Sequence, residues 1–388
     1  MTLVTLDPPY EELRAVARDF AEKEVKPRAA EMDRTERYPE PLFRAMVDAG
    51  FTALPIPEHL GGSGAGMVGL CVVIEEVTRY CQSAGLMVLL SRLAAGPLLI
   101  SGSPEQQRRY VPDVAAGRRR GSFCLTEPDA GSDTAAISTS ARRAGDRYVI
   151  DGRKSYISGA TVADFYVVWA RVPDEDGPRN LAAFVVDRDL PGVSLGHIDD
   201  KLGVRGVPTA EVVFESVAVP AEARLTPPGK GFSHLMAQLN SARPGVAARG
   251  LGLTAGALRY AADYARERKA FGGTLLDLQA VQFLLADIAI GLEGARSMVY
   301  NAAALVDRGS YGKEAAPYIA MAKAAAADLA VKASSDCLQV LGGAGYMTDH
   351  PMERFYRDAK QLQIVEGTSQ IQRLIVGRAI RDGRLTFD

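Results

Sequence analysis

The chain has 388 residues, 47% of them hydrophobic, enough to bury sizeable cores in about two or three domains. Lys plus Arg number 45 against 47 Asp plus Glu, and a formal net charge of -2 gives neither a nucleic-acid footprint nor an acidic tail. The densest basic run, Arg118-Arg119-Arg120, fits a solvated turn better than an anion-guiding rim.

Residues 1–122 read as a helical domain. Asp7 is the expected N-cap, with Pro8 and Pro9 suited to a first turn. Leu13, Val16, Ala17 and Phe20 follow at helical spacing, and Pro27 is expected to close that helix. Further helices are expected over 41–48, with Gly50 as the stop, over 68–81 and over 104–116. The glycine-rich stretch 61–66 between them reads as a loop.

Residues 123–228 read as a β domain. Runs 147–150 and 153–158 alternate on either side of Asp151-Gly152, which predicts a hairpin turning there. Stretches 165–172, 182–186 and 211–214 read as strands, and 173–178 as a polar turn. No long helical period interrupts them, so the sheet should be largely antiparallel.

Residues 229–388 are helical again. Amphipathic, alanine-rich periods over 249–268, 275–306 and 311–341, and a shorter one over 369–380, predict a four-helix bundle. The fold class is therefore α+β: a helical domain, a middle antiparallel β domain and a C-terminal bundle. This order lacks the alternation of a doubly wound nucleotide fold. Gly250, Gly252 and Gly256 lie inside a helical period, so they read as helix–helix packing and not as a dinucleotide fingerprint.

Four cysteines (Cys71, Cys81, Cys124, Cys337) and four histidines (His59, His197, His234, His350) are scattered, with no CxxC, HxH or HxxxH spacing. No metal is expected, and a reducing compartment fits best. No apolar run is long enough to span a bilayer and no signal-like start is present, so a cytoplasmic location is expected.

Three segments carry candidate chemistry. The loop 123–133, Phe-Cys-Leu-Thr-Glu-Pro-Asp-Ala-Gly-Ser-Asp, could press its backbone against a flat polar ring, although a capped turn explains its residues at least as well. Gln339-Val340-Leu341-Gly342-Gly343-Ala344-Gly345-Tyr346 fits a helix C-cap, and its bare amides could also approach a ligand. In Ile364-Val365-Glu366-Gly367-Thr368-Ser369-Gln370, Glu366 precedes a helix whose expected capping box is Ser369 with Gln372. Taken alone, Glu366 fits a carboxylate complementing the helix dipole.

Together, these segments resemble the acyl-CoA dehydrogenase family across essentially the whole chain. The 124–133 stretch looks like the family's first signature. Gln339, Gly342, Gly343, Gly345, Tyr346, Asp349, Arg354 and Asp358 fall at the spacings of its second. The resemblance implies FAD, an acyl thioester substrate on CoA, electron-transfer flavoprotein as partner, and a homotetramer built as a dimer of dimers. Implied flavin contacts are Phe123, Cys124, Leu125, Thr126, Gly131 and Ser132, with Tyr156, Ile157 and Ser158. A second set, from a neighbouring subunit, would be Arg268, Phe271, Gln279, Gln339, Val340, Gly342 and Gly343, and Thr368 and Gln370 would complete the site. Ser132, Asn240, Arg243, Val365 and Gly367 match substrate-facing positions.

The implied chemistry makes Glu366 the base that removes the α proton while a β hydride passes to flavin N5, giving a trans-2-enoyl thioester. Some relatives keep their base just before the arginine of the first bundle helix. That arginine is Arg243 here, and Ala242 precedes it, which favours Glu366. Two departures stand out: Tyr156 where many relatives have tryptophan, and Val365 where straight-chain enzymes often have tyrosine. The second is expected to open room beside the reacting carbons for branched, cyclic or otherwise unusual acyl groups. Alternatives at this stage are a dehydrogenase acting on a carrier-protein-bound acyl or aminoacyl group, a related acyl-CoA oxidase, and a non-catalytic subunit.

Overall fold

The computed structural model describes residues 3–175 and 180–387. The polar turn expected over 173–178 lies outside the described residues in its second half. Helix α1 (Pro8–Phe20) starts with Asp7 at the N-cap position and a proline in its first turn, but no Asp7 side-chain bond forms. Pro27 does not close the helical path, contrary to expectation. A π-helical turn (Ala21–Val25) and a 3-10 turn (Lys26–Arg28) carry the chain into α2 (Ala29–Thr35). The missing proline N–H falls in the first turn of the 3-10 segment, where no bond is needed. Next come α3 (Glu40–Asp48), α4 (Gly66–Thr78), α5 (Gln82–Ser101) and α6 (Pro104–Ala115).

Helix α5 escaped the sequence reading. It is apolar on all sides, so it has no periodic stripe, and Gly85, Gly96 and Pro97 look like breakers. It is the one described helix long and apolar enough to cross a membrane, yet 83% of its apolar window is buried inside the fold. It forms the central wall against which α4, α6 and the C-terminal bundle pack.

The sheet is largely antiparallel, as expected, but its hairpin is displaced. Strand β3 (Arg147–Ser158) runs straight through Asp151-Gly152, and the turn falls at Gly145-Asp146, where β2 (Ser140–Ala144) meets it. Asp151-Gly152 marks a bulge in the pairing of β3 with β7 (Thr209–Pro220). A side chain at Gly152 would collide with the Thr139 backbone and side chain, and its φ of 151° suits glycine. Strands β1 (Gly121–Cys124), β4 (Phe165–Arg171), β5 (Leu181–Asp187) and β6 (Val193–Ile198) complete a sheet ordered β1-β4-β2-β3-β7-β6, with β5 beside β4. Among the described residues only the β1–β4 and β2–β4 pairs are parallel.

The bundle is built from α7 (Gly231–Glu267), α8 (Gln279–Asp307), α9 (Ala316–Leu341), α10 (Met352–Leu362) and α11 (Ser369–Arg381), with a two-stranded β8–β9 ribbon (Lys269–Ala270, Gly273–Thr274) after α7. Helix α7 begins 18 residues before the expected start and carries Pro244 inside it. The short α10 was not expected at all. Gly250, Gly252 and Gly256 do serve helix packing: a Cβ at Gly250 would stand 2.7 Å from the Ala326 carbonyl oxygen, and at the other two it would strike the carbonyls of Glu75 and Arg79.

Candidate active site

The loop from α10 to α11 takes an uncommon backbone path. Glu366 has φ 54° and Gly367 φ 88°, two consecutive left-handed residues. Glycine adopts this freely, whereas glutamate costs roughly 1–2 kcal/mol there, so the surroundings must impose it. The amides of Ile364 and Val365 turn back onto the Gln361 carbonyl at 2.9 and 3.0 Å. The N-cap of α11 is Thr368, whose hydroxyl accepts from the Ile371 N–H at 3.1 Å, and not Ser369 as expected. Ser369 is already helical and buried, and its hydroxyl donates to Asp328 on α9 at 2.8 Å. Gln372 is thereby released from capping. Its Nε2 donates to the carbonyls of Glu366 and Gly367 at 3.2 and 2.8 Å.

Two cations reach the same two carbonyls. Arg243 Nε on α7 donates to the Glu366 oxygen at 3.3 Å, and Lys323 Nζ on α9 to the Gly367 oxygen at 2.8 Å. Arg243 is oriented by Asn240 Oδ1 at 2.6 Å, and Asn240 in turn donates to the Tyr311 carbonyl at 2.9 Å. The Glu366 carboxylate receives none of these bonds: its Oε2 is buried without a partner among the described residues. Burial raises the Glu366 pKa, against the opposing pull of Arg243, Lys323 and Arg249. Desolvation also lowers Arg243 to about 10 and Lys323 to about 8. The Glu366 N–H bonds no other group among the described residues, so it is available to a ligand. Val365 packs partly buried against the main core, and Ala242 is fully buried.

A second group of expected residues converges where β1 leaves the helical layer. The loop after β1 is locked by Glu127, whose carboxylate accepts from Ser138 N and Oγ, Thr139 N and Lys154 Nζ. Lys154 on β3 is fully buried and also donates to the Leu125 carbonyl at 2.9 Å. The Ser155 N–H donates to the Thr126 carbonyl at 2.9 Å, and Ser122 Oγ to the Ser158 carbonyl at 3.0 Å. Phe123–Thr126 and Tyr156–Ser158 therefore lie side by side. The side chains of Cys124, Leu125 and Ile157 point into the cores, leaving only their main chain for a ligand. Tyr156 does the reverse, with φ 60° and 64% exposure. Gly131 and Ser132 are exposed on the same loop.

The third group stands apart on open surface. Phe271, at φ 53° in the β8–β9 turn, is 93% exposed, and Arg268, Gln279, Gln339 and Gln370 are exposed as well. Side chains added at Gly342 or Gly343 would meet nothing within 4 Å. Val340 is buried in the core and Thr368 is occupied as a cap. A large exposed aromatic held in a strained turn beside a bare arginine suits a flat anionic group such as FAD, provided a second copy supplies the other wall. Main chain at Leu125–Thr126, held in place by Lys154 and Ser155 and lying beside an exposed Tyr156, suits the flavin end.

The structure thus unites Glu366, Gly367, Asn240 and Arg243, and separately Phe123–Thr126 with Tyr156–Ser158. Sequence reasoning missed Lys323, Gln372 and Tyr311. Lys323 carried a signal, a lone cation within the apolar run Ile319–Ala327; Gln372 was assigned to a cap it does not make.

Three family models match in order: acyl-CoA dehydrogenase N-terminal domain over residues 8–118, middle domain over 122–217 and C-terminal domain over 229–381. The chain is 41% identical to the human mitochondrial short-chain specific acyl-CoA dehydrogenase, over 98% of this chain and 92% of that one. Among solved structures, a chain from the study of the electron transferring flavoprotein of Acidaminococcus fermentans superposes with TM-score 0.93 at 38% identity, covering 98% and 99% of the two chains. Butyryl-CoA dehydrogenase from Megasphaera elsdenii matches at TM-score 0.93 and 32% identity, over 97% and 99%. A glutaryl-CoA dehydrogenase from Mycobacterium smegmatis in complex with FADH2 matches at 0.91 and 27%, over 98% and 97%.

Proposed function

This chain belongs to the acyl-CoA dehydrogenase family and is an oxidoreductase, and from that premise we propose that it desaturates the α–β bond of a short acyl-CoA thioester, with Glu366 as the base. The observation that carries this reading is the buried, unpartnered Glu366 Oε2 beside its own unbonded N–H. A thioester α proton is too weakly acidic for a solvated carboxylate. Desolvation raises the basicity of Glu366, and an N–H aimed at the thioester oxygen stabilises the developing enolate charge. FAD, when bound, supplies the acceptor for the β hydride. Phe123–Thr126 and Tyr156–Ser158 would hold its flavin end, and Arg268, Phe271, Gln279 and Gln339–Gly343 of a second copy would hold the remainder.

The exposure of that second set fits a homotetramer built as a dimer of dimers, working in the cytoplasm and passing electrons to electron-transfer flavoprotein. Val365 is half-buried beside the base, and its small side chain is the basis for expecting room for a branch near the reacting carbons. The test is anaerobic bleaching of the flavin-loaded enzyme against straight and branched acyl-CoA thioesters. Bleaching by short thioesters supports the reading, and none by any thioester sinks it. A clear preference for straight chains removes the Val365 argument.

A further inference from the structure

The strain at Glu366 and the donors around it are arranged unequally. Three buried donors, Arg243 Nε, Lys323 Nζ and Gln372 Nε2, make four bonds to the carbonyls of residues 366 and 367. None reaches the carboxylate, although Arg243 is a guanidinium bonded to the main chain of that same residue. An arginine and a buried carboxylate so close would ordinarily form an ion pair. A paired Glu366 would be a poor base.

The left-handed backbone keeps the two apart. With φ at 54° at Glu366, its carbonyl accepts from Arg243 and Gln372 and the next carbonyl, of Gly367, from Lys323 and Gln372, while Glu366 Oε2 has no partner among the described residues. Gln372 is the only one of the three donors that bonds both carbonyls, and it is fully buried, with its Oε1 left unpartnered. Lys323 fixes the second carbonyl from α9. At residues 366 and 367 the loop is thus tied to α7, α9 and α11 through its main-chain carbonyls.

We propose that Gln372 and Lys323 are positioning residues, which hold residues 366–367 in their left-handed turn and so keep the Glu366 carboxylate from collapsing onto Arg243. This rests on the reading of Glu366 as the base. With the clamp loosened, the loop relaxes toward the right-handed region, the carbonyls turn away, and the carboxylate takes their place on the guanidinium. The other charged groups around the loop are Arg249 on α7, Asp328 on α9, Asp358 on α10 and Arg373 on α11. Asp328 is already engaged by Ser369, Gln363 and Arg373, and Asp358 by the Val204 N–H, so neither competes for Arg243.

The experiment compares Gln372→Met, Lys323→Met and Lys323→Arg in the flavin-loaded enzyme. Gln372→Met and Lys323→Met should lower kcat per bound flavin by ~10–100-fold, the order expected for a misplaced catalytic group. KM should be nearly unchanged, the kinetic pKa of the base should fall, and Lys323→Arg should restore most of the rate. In the Glu366→Gln background Gln372→Met should add no further loss, because it acts through that carboxylate. A Gln372→Met protein that sheds flavin or melts far lower, with kcat per bound flavin and kinetic pKa unchanged, overturns the proposal. Additive losses in the double variant overturn it as well. If Glu366→Gln alone keeps near-normal bleaching, the base assignment fails first, a result distinct from either of these.

Discussion

Replacing Glu366 by glutamine should move stability and activity in opposite directions. Glu366 is half-buried, but its Oε2 is buried and unpartnered among the described residues, and an unsatisfied buried polar group costs about 1–3 kcal/mol, more when charged. Glutamine keeps the shape and the left-handed backbone strain but removes the charge, so unfolding free energy should rise by about 1 kcal/mol once the pH exceeds the raised folded pKa. The pH dependence fixes the sign. Burial raises the folded pKa of Glu366 above 4.5, so between 4.5 and that pKa the folded state binds more protons than the unfolded state. Wild-type stability therefore falls as pH rises through that window, and the contribution of the protonated acid is fully present only below it. The advantage of the glutamine variant should grow from nothing near the lower limit to its full value above the upper one, read by urea unfolding at successive pH values. Anaerobic bleaching should meanwhile slow by ~10³-fold, a general-base-sized loss. Bleaching within ~10-fold of wild type would refute the base. A variant less stable than wild type above the upper limit of that window would refute the reading of a bare buried charge.

The remaining predictions concern the scaffold. Lys154→Met strands the buried Glu127 carboxylate and should lower stability by about 3–5 kcal/mol, with loss of flavin on gel filtration. Its partners hold the Glu127 pKa down to about 2, so the wild-type contribution of Glu127 is intact above 4.5 and disappears as pH falls toward 2; the variant's deficit in thermal melts should shrink over that interval. Gly256→Ala, whose Cβ would strike the Arg79 carbonyl, should destabilise by ~1–3 kcal/mol, whereas Gly377→Ala on the open face of α11 should gain ~0.5–1 kcal/mol; equal effects in thermal melts would contradict the packing geometry. Arg92, buried on α5 with Nη1 unpartnered and Ser241 Oγ at 2.9 Å on Nη2, pairs with no carboxylate among the described residues, so Arg92→Met should be neutral or stabilising by up to about 4 kcal/mol; a large loss in urea unfolding would assign it a role the fold does not reveal.

The three-part architecture was legible because hydrophobic period changes twice along the chain, from 3.6 to 2 and back. The failures share a cause: tertiary packing overruled local signals. Asp151-Gly152 has hairpin chemistry, but Thr139 packs against the glycine and β7 accommodates a bulge, so the strand continues. Pro27 was expected to stop its helix, yet it lies within a continuous helical path. Helix α5 has no polar face to betray it, being covered on every side. At the site, Glu366, Asn240 and Arg243 were accessible through the family resemblance. The bonds from Gln372 and Lys323 were not, because a side chain reaching a carbonyl five or 44 residues away leaves no spacing rule in sequence.

The position of Glu366 gives that distinction a physical meaning. A non-glycine residue at positive φ persists only where its surroundings over-determine it. Here the compensation comes from helices α7, α9 and α11, each contributing one buried donor to main-chain oxygen. Each donor is costly to bury: Arg243 and Lys323 are both pulled down in pKa by desolvation, and neither forms an ion pair with a carboxylate among the described residues. A fold selected for stability alone would let Arg243 and Glu366 pair. Two buried cations on carbonyls, with Glu366 Oε2 left without a partner, are what the proposed role of Glu366 as an unpaired base calls for.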